Sequence, residues 1–268
     1  MKGEGCMFNL NTAKVAFLDK DYERAANMFY DGATEGNAEA AFNYAYCLMN
    51  GYGVERDPSL AKSFYIFASQ YVGEAAYNLA VMYLRGNGVK RNYKKCFEYM
   101  KDAAELGVIE AQLYLGVAYT LGSLFEPDVV SISLIPYHTP EYNGTVAYLE
   151  GEVPDYEEDE EARITAVRQD TISAFSWFRT AAKHSPDYVE ELSQKGKYLY
   201  ARCFLDGLGT DFNRDRGNAL MLLAATDGSE EAMAYLETEA PYVLENLTNH
   251  DLMRQIRRVE GISAPKEY

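Results

Sequence analysis

The chain carries few of the groups with which proteins do chemistry. Its three histidines, His138, His184 and His250, stand far apart and have no metal-ligand spacing. Its four cysteines, Cys6, Cys47, Cys96 and Cys203, form no C-x-x-C pair, which removes the zinc-knuckle and dithiol readings. Reduced, buried thiols are expected. No apolar run approaches the roughly 18 residues of a membrane span. The opening MKGEGCMFNLNTAK lacks the apolar stretch of a signal peptide, so a cytoplasmic protein is expected. Positive charge is scarce too: 25 Lys and Arg stand against 41 Asp and Glu, for a net charge of −16 at pH 7. A surface of that sign repels nucleic-acid phosphates and anionic lipids, so neither nucleic acid nor membrane is an expected partner. It suits a soluble, self-repelling protein or a basic protein partner.

Catalysis fares no better. No Ser or Cys has an identifiable base beside it. Gly51-x-Gly53 has no following Lys-Ser/Thr, so it is not a phosphate loop. The acidic run Asp155–Glu161 lacks the alternating oxygen ligands and central glycine of a calcium loop. No catalytic residue, metal or cofactor is therefore expected, and the chain reads as a non-enzyme.

What the chain does have is a repeat. GYGVERDPSLAKSFYIFA from Gly51 aligns with GNGVKRNYKKCFEYMKDAA from Gly86 and GLGTDFNRDRGNALMLLAA from Gly207. Gly51, Gly86 and Gly122 follow one another at the 35- to 36-residue period of a helix-pair array. One column holds Asp21, Asp57, Asn92, Asp170 and Asn213. Such residues cap helix N-termini by accepting the first free N–H groups. Four positions on stand Ala25, Ala61, Cys96, Ala174 and Gly217, which allow a neighbouring helix to come close. Three further on stand Met28, Phe64, Tyr99, Trp177 and Leu220. Small residues facing large ones let stacked helices interdigitate. The first helix of each pair is equally regular, with Leu48, Tyr83, Tyr119 and Phe204 in one column and Gly51, Gly86, Gly122 and Gly207 at its end.

This pattern closely resembles the Sel-one-like repeat (SLR), a relative of the tetratricopeptide repeat, and AAYNLAVMYLRGNGV from Ala75 is nearly a consensus copy. The resemblance covers roughly residues 9 to 236. It implies an all-α fold: a right-handed superhelical α/α solenoid of about five helix pairs, forming a single domain. The expected divisions are a first pair at 9–36, repeats at 37–73, 74–109, 110–185 and 186–228, and capping helices at 229–268. Two units depart from the pattern. Gly122 is followed by Ser-Leu, and the first pair turns through the short Phe17-Leu18-Asp19-Lys20.

Repeat 3 holds an insertion, residues 123–169. Other repeats pass from glycine to cap in six residues, as from Gly51 to Asp57, whereas Gly122 to Asp170 takes 48. Val129–Ile135 and Thr145–Leu149 are β-branched and partly alternating, with turn residues between, which predicts a β-hairpin.

The resemblance also implies function. Its members are adaptors that hold proteins or peptides, and by analogy with tetratricopeptide grooves the first helices line the concave face. The expected protein-binding residues are Phe42, Asn43, Tyr46, Tyr77, Asn78, Val81, Leu84, Leu113, Val117, Tyr198 and Arg202. That strip is apolar and aromatic for a solvent-facing surface, and contiguous apolar surface marks contact sites. Asn43 and Asn78 match the helix position where tetratricopeptide clamps hold peptide backbone. The expected activity is non-enzymatic protein–protein interaction, with a basic peptide as the favoured partner. Two other readings are an enzyme whose site the insertion builds against the groove, and a structural subunit of an oligomer.

Overall fold

Most helices begin where a short polar side chain takes up free N–H groups, as at Asn9, Asn37, Asp57 and Asn92. The computed structural model describes residues 8–122, 124, 168–184 and 190–262. These residues divide into two compact units, one ending at Val108 and the next beginning at Ile109. The first unit contains three helix pairs: α1 (Leu10–Leu18) with α2 (Tyr22–Thr34), α3 (Ala38–Asn50) with α4 (Pro58–Ala68), and α5 (Gly73–Arg85) with α6 (Tyr93–Glu105). The second pairs α7 (Ile109–Leu121) with α8 (Thr171–Ala181) and α9 (Glu190–Asp206) with α10 (Arg214–Thr226). It closes with α11 (Glu230–Glu239), a 3-10 segment (Pro241–Asn246) and α12 (His250–Glu260). No strand occurs among the described residues, and the hairpin expected within 123–169 lies outside them.

The cap column does what its chemistry predicts in four of five places. Asp57 accepts the N–H of Leu60, Asn92 that of Lys95, Asn213 that of Arg216, and Asp170 those of Ile172 and Ser173. Asp21 is the exception and makes no side-chain cap bond. Its backbone is not extended (φ −80, ψ 65), because the turn from α1 is closed early by Lys20 at φ 64.

A second bond recurs beside these four caps. The cap's own N–H donates to the carbonyl of the large residue near the end of the first helix. The pairs are Asp57 to Leu48, Asn92 to Tyr83, Asp170 to Tyr119 and Asn213 to Phe204, at 2.8–3.0 Å. In repeat 3 the bond from Asp170 to Tyr119 is 3.0 Å, and Gln169 Nε2 donates to the Thr120 carbonyl at 2.9 Å. The turn is therefore closed at its base in spite of the insertion.

The two glycines of Gly-x-Gly have different duties. Gly207 ends α9 at φ +67, and a Cβ there would meet only ordinary contacts, the nearest the Thr210 carbonyl oxygen at 3.8 Å. Gly209 is also at φ +67, but a Cβ there would lie 2.0 Å from the carbonyl oxygen of Thr171, the first residue of α8. Gly53 and Gly88 approach the first residues of α2 and α4, Tyr22 and Pro58, in the same way. The first glycine thus serves the left-handed end of its own helix, and the second lets the turn lie against the preceding pair. Leu124, fully buried, stands at the second position in repeat 3.

Cys47, Cys96 and Cys203 form no disulfide and are fully buried in the packing columns, and Cys6 lies outside the described residues. Burial pushes the Cys47 thiol up to about 12, and that of Cys203 to about 12 as well, with nearby Asp206 adding to the second. Thiolate is the reactive form. These three thiols are expected to resist a disulfide reagent in the folded protein and to react fully in denaturant. Rapid labelling of any of the three before unfolding would show that the columns are open.

Candidate protein-binding cleft

The strip expected along the first helices is mostly closed. Phe42 is fully buried and packs on Tyr65, with ring centroids 5.7 Å apart. Tyr46 is buried among Phe17 and Tyr52. Asn43 and Asn78 are buried, donating respectively to the Glu39 carbonyl at 2.7 Å and the Tyr65 hydroxyl at 3.2 Å. Tyr77, Val81 and Leu84 are buried in α5, Leu113 sits in the core of the second unit, and Val117 is partly buried against that core. Packing explains the correction. Both α3 and α5 lie between two second helices, α3 between α2 and α4, and α5 between α4 and α6. A helix flanked on two sides is apolar nearly all round, so its periodicity does not single out an open face.

Tyr198 and Arg202 differ: both are half-buried and both line an open cleft of about 510 Å³ in the second unit. From α9 the cleft takes Tyr198, Arg202, Leu205 and Asp206; from α11 it takes Glu231, Ala234, Tyr235, Thr238 and Glu239. Phe212 and Arg214, at the turn into α10, complete it. One turn of helix separates Arg202 from Asp206, which lets the guanidinium hold the carboxylate through Nε at 2.9 Å and Nη2 at 2.8 Å. Nη1 of Arg202 donates to the Tyr198 hydroxyl at 3.3 Å. Tyr235 Oη donates to Asn218 Oδ1 at 3.3 Å, and Asn218 Nδ2 donates to the Tyr242 hydroxyl at 2.8 Å. Burial, and then the carboxylate of Glu239, raise the Tyr235 hydroxyl above its ordinary range. The cleft therefore offers aromatic and aliphatic walls, neutral hydroxyls and a mixed, acid-leaning rim.

Phe212 was not expected from the sequence, although a signal for it exists. The residue before each other cap is Lys20, Arg56, Arg91 or Gln169, all polar. Arg56 spends its guanidinium on the Met49 carbonyl and on Asn87. Phe212 has no such polar contact to offer and is 61% exposed, an apolar ring held in water at the mouth of the cleft.

A second polar assembly holds α12. Asp227 stands at the C-terminal cap of α10 with its side chain nearly without exposure; the carboxylate accepts from the fully buried Lys197 Nζ at 2.7 Å and from Arg257 of α12. Glu260, the last residue of α12, accepts from Arg216 Nε at 2.7 Å and Nη2 at 2.8 Å, and from the Tyr200 hydroxyl at 3.0 Å. Burial alone would raise the Glu260 carboxyl, but the bonds from Arg216 and Tyr200 overcome it and leave it below the usual range. Arg216 also lies over the Phe204 ring, 4.3 Å from its centroid.

His184 bonds Gln112 at 3.0 Å and burial lowers its pKa; His250 opens α12, and His138 lies outside the described residues. Among the described residues no group of three or more His, Cys, Asp or Glu could hold a metal, and no helix is long and apolar enough to cross a membrane.

Recurring helix pairs joined by a two-glycine turn, with a cleft against the last pair, define a helix-pair repeat protein. The family model of the Sel1 repeat matches residues 38–70, 73–108, 164–186 and 195–229, and the chain is a Sel1 repeat protein. The first helix pair lies outside the matched segments. The crystal structure of a Sel1 repeat protein from Oxalobacter formigenes superposes with a TM-score of 0.64, covering 92% of this chain and 85% of that one at 17% identity. That likeness shows a shared fold. A protective antigen of uropathogenic Escherichia coli with an SLR fold aligns over 97% of this chain and 66% of its own, at 15% identity and a TM-score of 0.38. No curated protein matches the chain. Sel1 repeats generally mediate protein–protein interactions, and their fold is typically a non-enzymatic scaffold.

Proposed function

We propose that this protein is a non-enzymatic adaptor of the cytoplasm that holds a segment of a partner protein in the cleft between α9 and α11. The observation that carries this reading is Phe212: an exposed aromatic ring, in a column otherwise filled by Lys, Arg or Gln, opening onto Tyr198, Leu205, Ala234 and Tyr235. Interface energy concentrates in aromatic anchors of this kind, surrounded by a polar rim. Of the residues expected to bind, Tyr198 and Arg202 keep that role. The rest of the strip serves by holding the helix pairs rigid. The favoured partner segment carries an apolar or aromatic anchor flanked by basic residues, since the net charge of −16 steers cations towards the protein.

A peptide array of randomised sequences, probed with the intact chain and with Phe212→Ala, tests the reading. The intact chain is expected to retain peptides with a basic–aromatic signature. Phe212→Ala is expected to bind those peptides about 10-fold more weakly, or roughly 1–2 kcal/mol. Thermal unfolding should be unchanged, because the ring is already in water. Equal retention by both proteins, or no retention by either, would remove the cleft as the binding site.

A further inference from the structure

The last helix is fastened differently from the others. Elsewhere the pairs are held by small-for-large apolar packing, whereas the buried apolar residues of α12 are Met253 and Ile256 alone, with Leu252 partly buried and Ile262 just beyond. Its remaining hold is ionic. Arg257 reaches Asp227, which also takes Lys197 of α9, and Glu260 reaches Arg216 of α10 and Tyr200 of α9. The other cations acting on this end are Arg179 of α8, whose field reaches Glu260, and Lys183, close to Gly261. Arg216 is 42% exposed, so the Glu260 pair is open to screening by salt. Thus α12 is joined to α9 and α10 by polar contacts that can be undone singly, beside the few apolar side chains, Met253, Ile256 and Ile262, that it adds to their shared core.

The connection to the cleft runs through one side chain. Asn218 of α10, 4% exposed, holds Tyr235 of the cleft wall with its oxygen and Tyr242 of the 3-10 segment with its nitrogen. That segment is the link between α11 and α12. We propose that α12 is a charge-latched strap that opens without unfolding α9 and α10, and that its opening loosens the cleft wall at Tyr235. The regulatory meaning of the strap rests on the cleft being the binding site; its opening does not.

Hydrogen exchange read by mass spectrometry on the full chain tests both halves without needing a partner. Glu260→Gln keeps the shape and removes the charge. It is expected to speed exchange of residues 250–260 about tenfold, the effect of weakening a charge-assisted hydrogen bond. Residues 230–239 should speed up by a smaller factor, and the amides of α9 and α10 should hold their rates. Raising salt on the unaltered chain should move the same two segments in the same direction. Tyr242→Phe, an exposed position that folds regardless, removes only the hydroxyl that Asn218 holds and should speed both segments with the latch charges intact. If residues 250–260 exchange only together with α9 and α10 in every protein, α12 is an integral part of the core and the strap is overturned. If α12 opens in Glu260→Gln and residues 230–239 do not respond in either variant, the coupling to the cleft is overturned. Coupled opening with no peptide retained on the array would instead count against the binding reading alone.

Discussion

Replacing Asp227 by Ala is expected to destabilise the second unit by about 3–5 kcal/mol, the usual effect of leaving a buried charge without its counter-ion. Lys197 has no exposure at all, and its Nζ lies 2.7 Å from the Asp227 carboxylate. Removing that carboxylate strands an ammonium in the interior, and Arg257 of α12 loses the same anchor. The backbone of Asp227 also accepts from Gln194 Nε2 at 2.7 Å, a bond that Ala keeps, so the loss reports the carboxylate. Trp177 is the single tryptophan of the chain and belongs to α8 of the second unit, so its fluorescence in a urea titration follows that unit. Asp251→Ala is the natural control. Its pair with Arg254 is open to water on both sides, and exposed pairs contribute little. If Asp227→Ala unfolds at the same urea concentration as Asp251→Ala, the ion cluster does not hold the helices as described.

Gly209→Ala is expected to be far more damaging than Gly207→Ala, although the two glycines are two residues apart and share φ +67. At Gly207 a Cβ meets nothing nearer than 3.8 Å, so the change brings only left-handed strain, about 1–2 kcal/mol. At Gly209 the same strain is joined by a contact of 2.0 Å with the Thr171 carbonyl oxygen, a backbone atom that cannot swing aside. Adding an overpacking term of about 1–3 kcal/mol gives a total of roughly 2–5 kcal/mol. The difference between the two variants, again read at Trp177, is the informative quantity. Equal losses would mean that the second glycine serves only its own backbone and not the approach to α8.

Both predictions concern features of very different legibility. Helix starts, helix ends and packing columns could be read from the sequence because each rests on chemistry within a few residues, repeated at a fixed period. Asn92 caps the helix that holds Cys96 and Tyr99, and the equivalent residues of other pairs repeat the pattern. Asp21 shows the limit, since its residue type is right but the turn before it sets the wrong backbone angle for a cap. The groove residues failed for a different reason. Phe42, Tyr77 and Leu84 do recur at helical spacing, but α3 and α5 are enclosed on opposite sides, and periodicity alone does not say how many sides of a helix are covered. The latch residues were invisible because they occur once. Tyr200 and Glu260 are 60 positions apart and Lys197 and Asp227 are 30, with no second copy to align. Phe212 was legible only as a deviation, a ring where its column otherwise holds Lys, Arg or Gln.

The hydrogen bonds that shut the base of repeat 3 have a consequence for how such chains change. Asp170 reaches Tyr119 at 3.0 Å after 48 residues from glycine to cap, and Asp57 reaches Leu48 at 2.9 Å after six. Six to 48 is three doublings of the closed length, and each doubling adds only about 0.6 kcal/mol of closure entropy, about 1.8 kcal/mol in all. The glycine-to-cap turn is therefore a hospitable docking port within the chain. A foreign module of some forty residues whose ends lie close together should graft into the equivalent turn of another repeat, between Gly51 and Asp57 or between Gly207 and Asn213, and leave the host pair folded. Length at that point is evolutionarily cheap, so relatives built on the same pairs are free to diverge there first.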